Sequence, residues 1–194
     1  MATIELAQMQ AANTLNENSA RQLLRQKLKS MPFVRILWVT DANGRLIYDT
    51  EVGNIGVNLS DTAYFKFLQS HPQTSFFVSA PVKSRIDGKW LIPAARPLKS
   101  ADGAFNGTIA AAIDPHYFDT LWKHLDLGTD GAVTLFGREG ILMMRSPFDA
   151  AVMGKGFGDR PMFKELLPKN AVGSFRVVSP IDGVSRMLDR KSVV

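Results

Sequence analysis

Two aspartates, Asp61 and Asp114, are the strongest candidates for acid–base chemistry in this sequence. Because a pair of carboxylates can divide the work of a general acid and a general base, one hypothesis is a small hydrolase-like enzyme that uses both. Each aspartate also stands just before a predicted helix, where its side chain would cap the first turn. Asp114 follows the small-residue stretch 110–113. Small side chains leave space beside this carboxylate, and such a space is typical of a ligand pocket.

Three other side chains favour binding over catalysis. Tyr64, Trp90 and Arg96 each combine a large contact surface with hydrogen-bond donors, which suits the wall of a ligand pocket. The alternative places for these residues are the hydrophobic core for the two aromatic rings and the surface for the guanidinium group.

The sequence offers no donor set for a metal ion or a cofactor. It contains three histidines and no cysteine, so thiolate catalysis, disulfides and cysteine-ligated metals are excluded. His116 and His124 lie about two helical turns apart, which is too far for both to bind one ion. No P-loop or nucleophile-elbow motif is present. We therefore predict no metal site and no cofactor.

The candidate residues belong to a chain that repeats itself. The first copy contains, in order, Gly44, Leu46, Gly56, Asp61 and Phe65, and the second contains Gly140, Leu142, Gly154, Asp159 and Phe163. The later strand segments 75–82 and 174–181 are also alike. A repeat of about 100 residues has the size of a small domain. The sequence therefore predicts two similar modules in tandem.

The first module combines predicted strands with a predicted helix, as mixed α+β domains do. Strands are expected at 34–40, 45–50, 75–82, 89–98 and 107–113, and a helix capped by Asp61 is expected between the second and third strands. These elements predict a five-stranded antiparallel sheet with helical cover, in the α+β class.

A long helix is predicted before this sheet, over residues 4–30. Its apolar stripe consists of Ala20, Leu23, Leu24, Leu28 and Met31. The stripe packs either on the chain's own modules or on a partner helix. The predicted division is a stalk helix at 1–32, the first module at 33–114, a connecting helix at 115–125 and the second module at 126–194. Because few residues follow Pro180, we expect the second module to lack its last strand.

The charge balance leaves a third class of function open. The net charge is +5, which is compatible with a basic nucleic-acid-binding module. The lysines and arginines are scattered, however, and do not alternate with aromatic residues as in a stacking surface. No apolar run reaches the length of a membrane span, and the first residues lack the pattern of a signal peptide. An excised piece of a larger protein would look the same.

The order and spacing of these motifs resemble the double Cache extracytoplasmic sensor domains, in which two PAS-like modules follow a long N-terminal helix. The resemblance rests on residues 61–65, 79–82, 95–98 and 107–118 in the first module and on 134–136, 140–142 and 145–154 in the second. The nearest relatives are expected among bacterial sensor histidine kinases and diguanylate cyclases.

The resemblance implies a periplasmic domain of an inner-membrane receptor, anchored by transmembrane helices. Such a domain binds a small molecule in its membrane-distal module, here the first, and controls a cytoplasmic output domain. The fragment itself would not be an enzyme, whereas the full-length protein would be a histidine kinase or a diguanylate cyclase. The implied partners are a small-molecule ligand and a second copy, bound weakly through the N-terminal helix, but not nucleic acid.

Matching positions in the family, together with Trp90, give a predicted ligand site of six residues: Tyr64, Phe65, Ser79, Trp90, Arg96 and Asp114. The amino-acid-sensing branch clamps the ligand carboxylate with the arginine of an Arg-x-Trp-Tyr motif. The matching stretch here is 62–65, and it begins with threonine instead of arginine. The resemblance therefore leaves the ligand open. Arg96 is the cation expected to hold a carboxylate, and the ligand is expected to be small and polar or zwitterionic.

Overall fold

The computed structural model describes residues 5–6, 16–166, 168–169 and 172–191. The chain divides into two compact units, Met1–Asp114 (unit 1) and Pro115–Val194 (unit 2). The N-terminal helix therefore groups with the first sheet, and the helix after Asp114 groups with the second module. No helix in the described ranges is both long and apolar enough to span a membrane.

Helix α1 spans Glu17–Leu28 and begins at a capping box. The Asn16 side chain accepts a hydrogen bond from the Ser19 backbone N–H at 3.0 Å, and the Ser19 hydroxyl accepts one from the Asn16 N–H at 2.9 Å. The predicted helix over 4–30 is thus confirmed from residue 17. Residues 5–6 are also helical, and 7–15 lie outside the described residues.

The apolar stripe of α1 packs on the sheet of unit 1. Ala20 and Leu24 are fully buried in a cluster with Leu37, Val39 and Ile109. Of the two predicted roles of this stripe, the structure therefore shows packing on the chain's own module.

The described residues of unit 1 form six strands, one more than predicted. They are β1 Val34–Thr40, β2 Leu46–Asp49, β3 Phe77–Val78, β4 Val82–Lys83, β5 Trp90–Lys99 and β6 Phe105–Ile113. The order across the antiparallel sheet is β2-β1-β6-β5-β3, and β4 pairs with β5 beyond β3. Helix α2, Ala63–Ser70, lies between β2 and β3 in the chain.

The extra strand arises because the predicted strand at 75–82 is interrupted. Ser79 donates its N–H to the Pro93 carbonyl at 2.8 Å. Pro93 has no N–H to return the bond, so the ladder breaks there. The chain leaves the sheet after β3 and rejoins the same edge of β5 at Val82.

Both faces of this sheet are covered. On the α2 face, helix α2 packs over Ile36, Trp38, Ala95, Ala110 and Ala112. On the α1 face, helix α1 packs over the cluster that contains Leu37, Val39 and Ile109. The register places Trp38, Ala110 and Ala95 side by side on neighbouring strands. The two alanines therefore give the centre of the α2 face small side chains.

Unit 2 repeats the elements but not the continuous sheet. It contains α3 Pro115–Trp122, β7 Val133–Phe136, β8 Leu142–Ser146, a π-helical turn Met162–Leu166, β9 Val172–Val178 and β10 Ser185–Lys191. The pairs β7–β8 and β9–β10 form two separate two-stranded sheets. The predicted α+β class is confirmed for the chain.

The internal repeat also appears in backbone hydrogen bonds. Leu46 donates to the carbonyl of residue 57 and accepts from the N–H of residue 56. Leu142 makes the same two bonds with residues 155 and 154. The second strand of each unit is therefore tied in the same way to the loop that follows it.

Candidate functional site

The α2 face of unit 1 holds three of the six predicted site residues. Tyr64 and Phe65 are almost fully buried on α2, and the Phe65 ring meets Phe105 edge-on at 5.4 Å. Ser79 is also buried. Its backbone N–H binds the carbonyl of Pro93, and Pro93 pairs with Ala112 of the α2 face. The two aromatic residues are therefore part of the packed core between α2 and the sheet.

Tyr64 presents a buried hydroxyl at the centre of this face. Its Oη accepts a hydrogen bond of 3.0 Å from Trp38 Nε1, and the two rings meet edge to face at 6.0 Å. Burial raises the pKa of Tyr64, against the opposing effects of Trp38, the hydroxyls of Thr62 and Thr108, and the charge of Arg85. The hydroxyl is therefore protonated at neutral pH.

Asp61 does not cap α2, contrary to the sequence-based prediction. The cap position belongs to Thr62, whose hydroxyl donates to the Leu59 carbonyl at 2.6 Å. Asp61 instead accepts two hydrogen bonds from Arg85, at 2.9 and 2.8 Å, and this pairing holds the pKa of Asp61 below its ordinary value. The pair joins the β4–β5 turn to the start of α2.

Asp114 is the residue directly after β6, one alternation step beyond Ala112 of the α2 face. Its backbone N–H donates to the Phe33 carbonyl at 2.9 Å. The expected position of this carboxylate at the end of the last strand is therefore what the structure shows. Asp61 is paired with Arg85, so one member of the hypothetical acid–base pair is already held in an ion pair.

Arg96 and Trp90 lie on the opposite face of the sheet from Tyr64 and Phe65. Leu91 and Ala95 of β5 belong to the α2 face. Alternation along the strand therefore turns Trp90 and Arg96 to the α1 face. The register agrees, because Arg96 pairs with Ile109, a member of the α1-face cluster.

Arg96 is exposed, and its guanidinium carbon lies 5.5 Å from the centre of the Phe76 ring. It cannot hold a ligand beneath Tyr64 from this position. Sequence reasoning lacked the register between β5 and β6, and this register decides which face Arg96 occupies.

A second arginine, Arg35, was not predicted. Its Nη1 lies 3.4 Å from Asp87 Oδ2, and its side chain is 19% exposed. Burial opposes ionisation of Asp87, but hydrogen bonds from Ser84 and the Lys89 N–H, with the charge of Arg35, hold the pKa of Asp87 below its ordinary value. Arg35 lies at an irregularity of β1, between Val34 and Ile36, for which the sequence contains no signal.

Unit 2 carries its own charged cluster. The Arg145 guanidinium is buried and lies 2.6 Å from Asp182, while Nη1 donates to the Thr134 hydroxyl at 2.9 Å. Asp182 also accepts two bonds from Arg186, and this pairing lowers the pKa of Asp182 well below its ordinary value. The cluster links the β9–β10 turn to β8, so its role is structural.

Metal binding finds no support in the described part of the chain, where no three acidic or histidine side chains gather around a common point. The polar groups of unit 1 described above are the buried Tyr64 hydroxyl, the Asp61–Arg85 ion pair and Asp114 at the end of β6.

The comparisons with known proteins point to sensor domains. Residues 115–194 match the double Cache-like family described as a histidine kinase sensor domain. No curated protein matches the sequence significantly.

Solved structures are similar over nearly the whole chain. The extracellular domain assigned to the histidine kinase rpHK1S-Z16 is 26% identical with a TM-score of 0.83, covering 97% of this chain and 78% of that one. The ligand-binding domain of the Pseudomonas fluorescens chemoreceptor CtaA, solved with L-isoleucine, is 18% identical with a TM-score of 0.62, covering 96% and 73%. That of the Pseudomonas aeruginosa chemoreceptor PctC, solved with GABA, is 16% identical with a TM-score of 0.57, covering 89% and 73%.

The fold is therefore the double Cache fold, and the prediction from the sequence motifs is confirmed. The matched proteins are extracellular or periplasmic sensor domains. They support a sensory function and give no support to the hydrolase-like or nucleic-acid-binding alternatives.

Proposed function

We propose that this chain is the extracytoplasmic ligand-binding domain of a membrane-anchored sensor histidine kinase. The observation that carries the proposal is the similarity over 97% of the chain, at a TM-score of 0.83, to the extracellular domain assigned to a histidine kinase. The family match of residues 115–194 also supports a histidine kinase as the output domain. A diguanylate cyclase output was an equal prediction from the sequence, and the similarity to histidine kinase and chemoreceptor domains gives it no support.

The ligand site is proposed in unit 1, at the edge of the α2 face. Tyr64, Phe65 and Ser79 form its apolar and hydroxyl-bearing wall, and Asp114 supplies a carboxylate for a ligand cation. We propose Arg85, instead of Arg96, as the cation on the α2 face. The charge of Arg85 interacts with the Tyr64 side chain, and its guanidinium group binds Asp61. Arg85 is half exposed and can therefore exchange Asp61 for a ligand carboxylate.

The ligand class that fits these groups is a small zwitterion or a small organic acid. A cation near Tyr64 and an anion at the end of β6 match the two ends of an amino acid. The related domains solved with L-isoleucine and with GABA bind molecules of this kind.

A thermal-shift screen tests the function. A ligand that binds only the folded state stabilises it, by about 2.7 kcal/mol at a concentration of 100 times Kd. We expect at least one amino acid or organic acid to raise the unfolding temperature of the wild type and to lose most of this effect in Asp114→Asn. Arg96→Gln is the matched control, since Arg96 is exposed on the opposite face and its loss should leave the shift unchanged.

Two other outcomes would contradict the proposal. One is substrate turnover that Asp114→Asn abolishes, which would indicate an enzyme. The other is tight DNA binding whose affinity falls steeply with salt, which would indicate a nucleic-acid-binding module.

Weak homodimerisation through α1 remains part of the proposal. Ala20 and Leu24 are already buried against the sheet, so the contact must use the exposed polar side of the helix, which includes Gln22 and Gln26. Such a surface gives a weak contact unless membrane anchoring raises the local concentration. Sedimentation of the isolated chain is expected to show mostly monomer.

A further inference from the structure

The Arg35 guanidinium is only partly used by the protein. Nη1 lies near Asp87, but Nε and Nη2 are buried and have no hydrogen-bond partner among the described residues. Buried donors without acceptors are rare in folded proteins, because each forfeits its bond to water. Two such donors on one charged group require an acceptor from outside the described residues.

The two unpaired nitrogens have a defined geometry. Nε and Nη2 lie along one edge of the planar guanidinium group and direct their N–H bonds in parallel. This fork matches the two oxygens of a carboxylate and gives a bidentate, charge-assisted contact. Asp87 lies at the other nitrogen, Nη1, and leaves the fork open.

A third unpaired donor belongs to the same neighbourhood. Trp90 Nε1 is buried and also has no partner in the described part of the chain. Asp87, which binds Arg35 through Oδ2, accepts a bond of 3.2 Å from the Lys89 N–H through Oδ1. Lys89 directly precedes Trp90, so the turn that carries Asp87 contacts Arg35 and leads directly into the strand that Trp90 begins.

The local charge also favours an anion. Lys89 Nζ lies 3.8 Å from Asp87, and Lys83 Nζ lies 5.7 Å from the centre of the Trp90 ring. Arg35 and Lys89 are therefore two cations beside one carboxylate, and Lys83 adds a third positive charge over the Trp90 ring. A bound anion would offset part of this excess positive charge.

We propose that the open edge of Arg35 and the Trp90 indole form a subsite for the carboxylate of a small organic acid. The proposal rests on the proposed sensory function, since it names a chemical group that the sensed molecule carries. It differs from the Tyr64 site in its donors and in its strands, because Arg35 belongs to β1 and Trp90 begins β5.

Indole N–H resonances of the ¹⁵N-labelled chain provide the test. The chain has three tryptophans, and Trp90→Phe identifies the Trp90 signal by its loss. Titration with sodium acetate should shift the Trp90 signal in a saturable way, while sodium chloride at equal ionic strength should not. The Trp122 signal serves as the internal reference, because Trp122 ends α3 and belongs to unit 2.

Arg35→Lys keeps the charge but removes the fork, so we expect acetate to bind at least about tenfold more weakly, as for the loss of a charge-assisted hydrogen bond. Arg96→Lys is the matched control and should bind acetate as the wild type does. If Arg35→Lys fails to fold, the wild-type titration still decides the matter.

Three results would overturn the subsite. The Trp90 signal could stay unmoved by acetate, it could respond equally to chloride, or Arg35→Lys could bind acetate as tightly as the wild type. If acetate fails here while an amino acid or organic acid still raises the unfolding temperature, the sensory function stands and only the subsite is wrong.

Discussion

In both units, the first two strands are joined at a glycine with a positive φ angle that lies against a later loop. Gly44 has φ +79°, and a Cβ at this position would lie 2.6 Å from Ser60 Cα. Gly140 has φ +77°, and its Cβ would lie 2.5 Å from the Gly158 nitrogen. Only glycine tolerates both the angle and the contact. The repeat in the sequence therefore encodes the same turn and the same loop docking twice.

The two units differ in how their later strands pair. In unit 1, β6 pairs with both β1 and β5 and so joins the two halves of the sheet. In the described residues of unit 2, β7–β8 and β9–β10 remain separate pairs. Most residues of β1 are buried, whereas none of β9 is. The repeated glycine motif therefore gives both units the same turn. The burial of a strand depends instead on whether a further strand, such as β6 in unit 1, joins the strand pairs into one sheet.

The largest expected effect follows from a glycine on this central strand. In Gly107→Ala the new Cβ would lie 2.0 Å from the Thr40 carbonyl oxygen, at φ +112°. We expect unit 1 to lose at least about 4 kcal/mol of unfolding free energy, since strain and clash add. Urea unfolding of the whole chain measures the loss.

Gly173→Ala on β9 is the control in unit 2, because its Cβ would meet nothing within 4 Å. Equal effects of the two substitutions would contradict the difference between the central strand of unit 1 and the open pair of unit 2.

Helix α1 provides the next largest effect. Leu24→Ala removes a fully buried side chain from the α1 face, and we expect a loss of about 3 kcal/mol. Leu121→Ala on α3 removes a side chain that is 51% exposed and should cost less than about 1 kcal/mol. Thermal unfolding measures the loss of stability in both variants. A small loss in Leu24→Ala would show that α1 does not pack on the sheet in solution.

The charged cluster of unit 2 should show a smaller loss with a pH signature. Asp182→Asn removes the carboxylate that pairs with the buried Arg145 guanidinium. We expect a loss of about 2 kcal/mol, discounted because the Asp182 side chain is 31% exposed.

The pKa of Asp182 is lowered in the folded state, chiefly by hydrogen bonds from Arg186. Its stabilising contribution is therefore present above the unfolded pKa of 3.8 and is lost as the pH falls below it. Acid titration of stability should be flatter in Asp182→Asn than in the wild type. Asp159→Asn removes an almost fully exposed carboxylate whose pKa is lowered by Lys164, and solvent screening should make it flatten the profile less than Asp182→Asn does.

The smallest of these effects concerns Tyr64. Tyr64→Phe removes the bond from Trp38 and should cost about 1 kcal/mol. Because the folded-state pKa is raised, the hydroxyl stabilises the fold fully below the unfolded pKa of 10.0 and loses this contribution as the pH rises through the folded value. The decline of stability above pH 10 should be shallower in Tyr64→Phe. Tyr48→Phe controls for the loss of one tyrosine, and an unchanged decline in Tyr64→Phe would contradict its burial.

Local features of the fold were predictable from the sequence. Strand β1 has the predicted bounds, and the repeated glycines Gly44 and Gly140 both adopt positive φ angles in the structure, as equivalent positions of a repeat should. Helix α2 was found, but its cap was assigned one residue early, since Asp61 and Thr62 have similar cap propensities.

The candidate site was harder to predict because it depends on pairing across distant segments. The face of Arg96 is set by the register of β5 against β6, and a shift of one residue would reverse it. Arg35 and Trp90 are far apart in the sequence, and the β4–β5 turn links them, because its Asp87 pairs with Arg35 and accepts a bond from the Lys89 N–H. No spacing rule links such residues.

The most direct test of a sensing role for unit 1 is hydrogen–deuterium exchange of the whole chain with and without the amino acid or organic acid that gives the largest thermal shift. We expect slower exchange in α2 and at the strand ends around Trp90 and Asp114, with little change in β9 and β10. Protection confined to unit 2 would contradict a sensing role for unit 1.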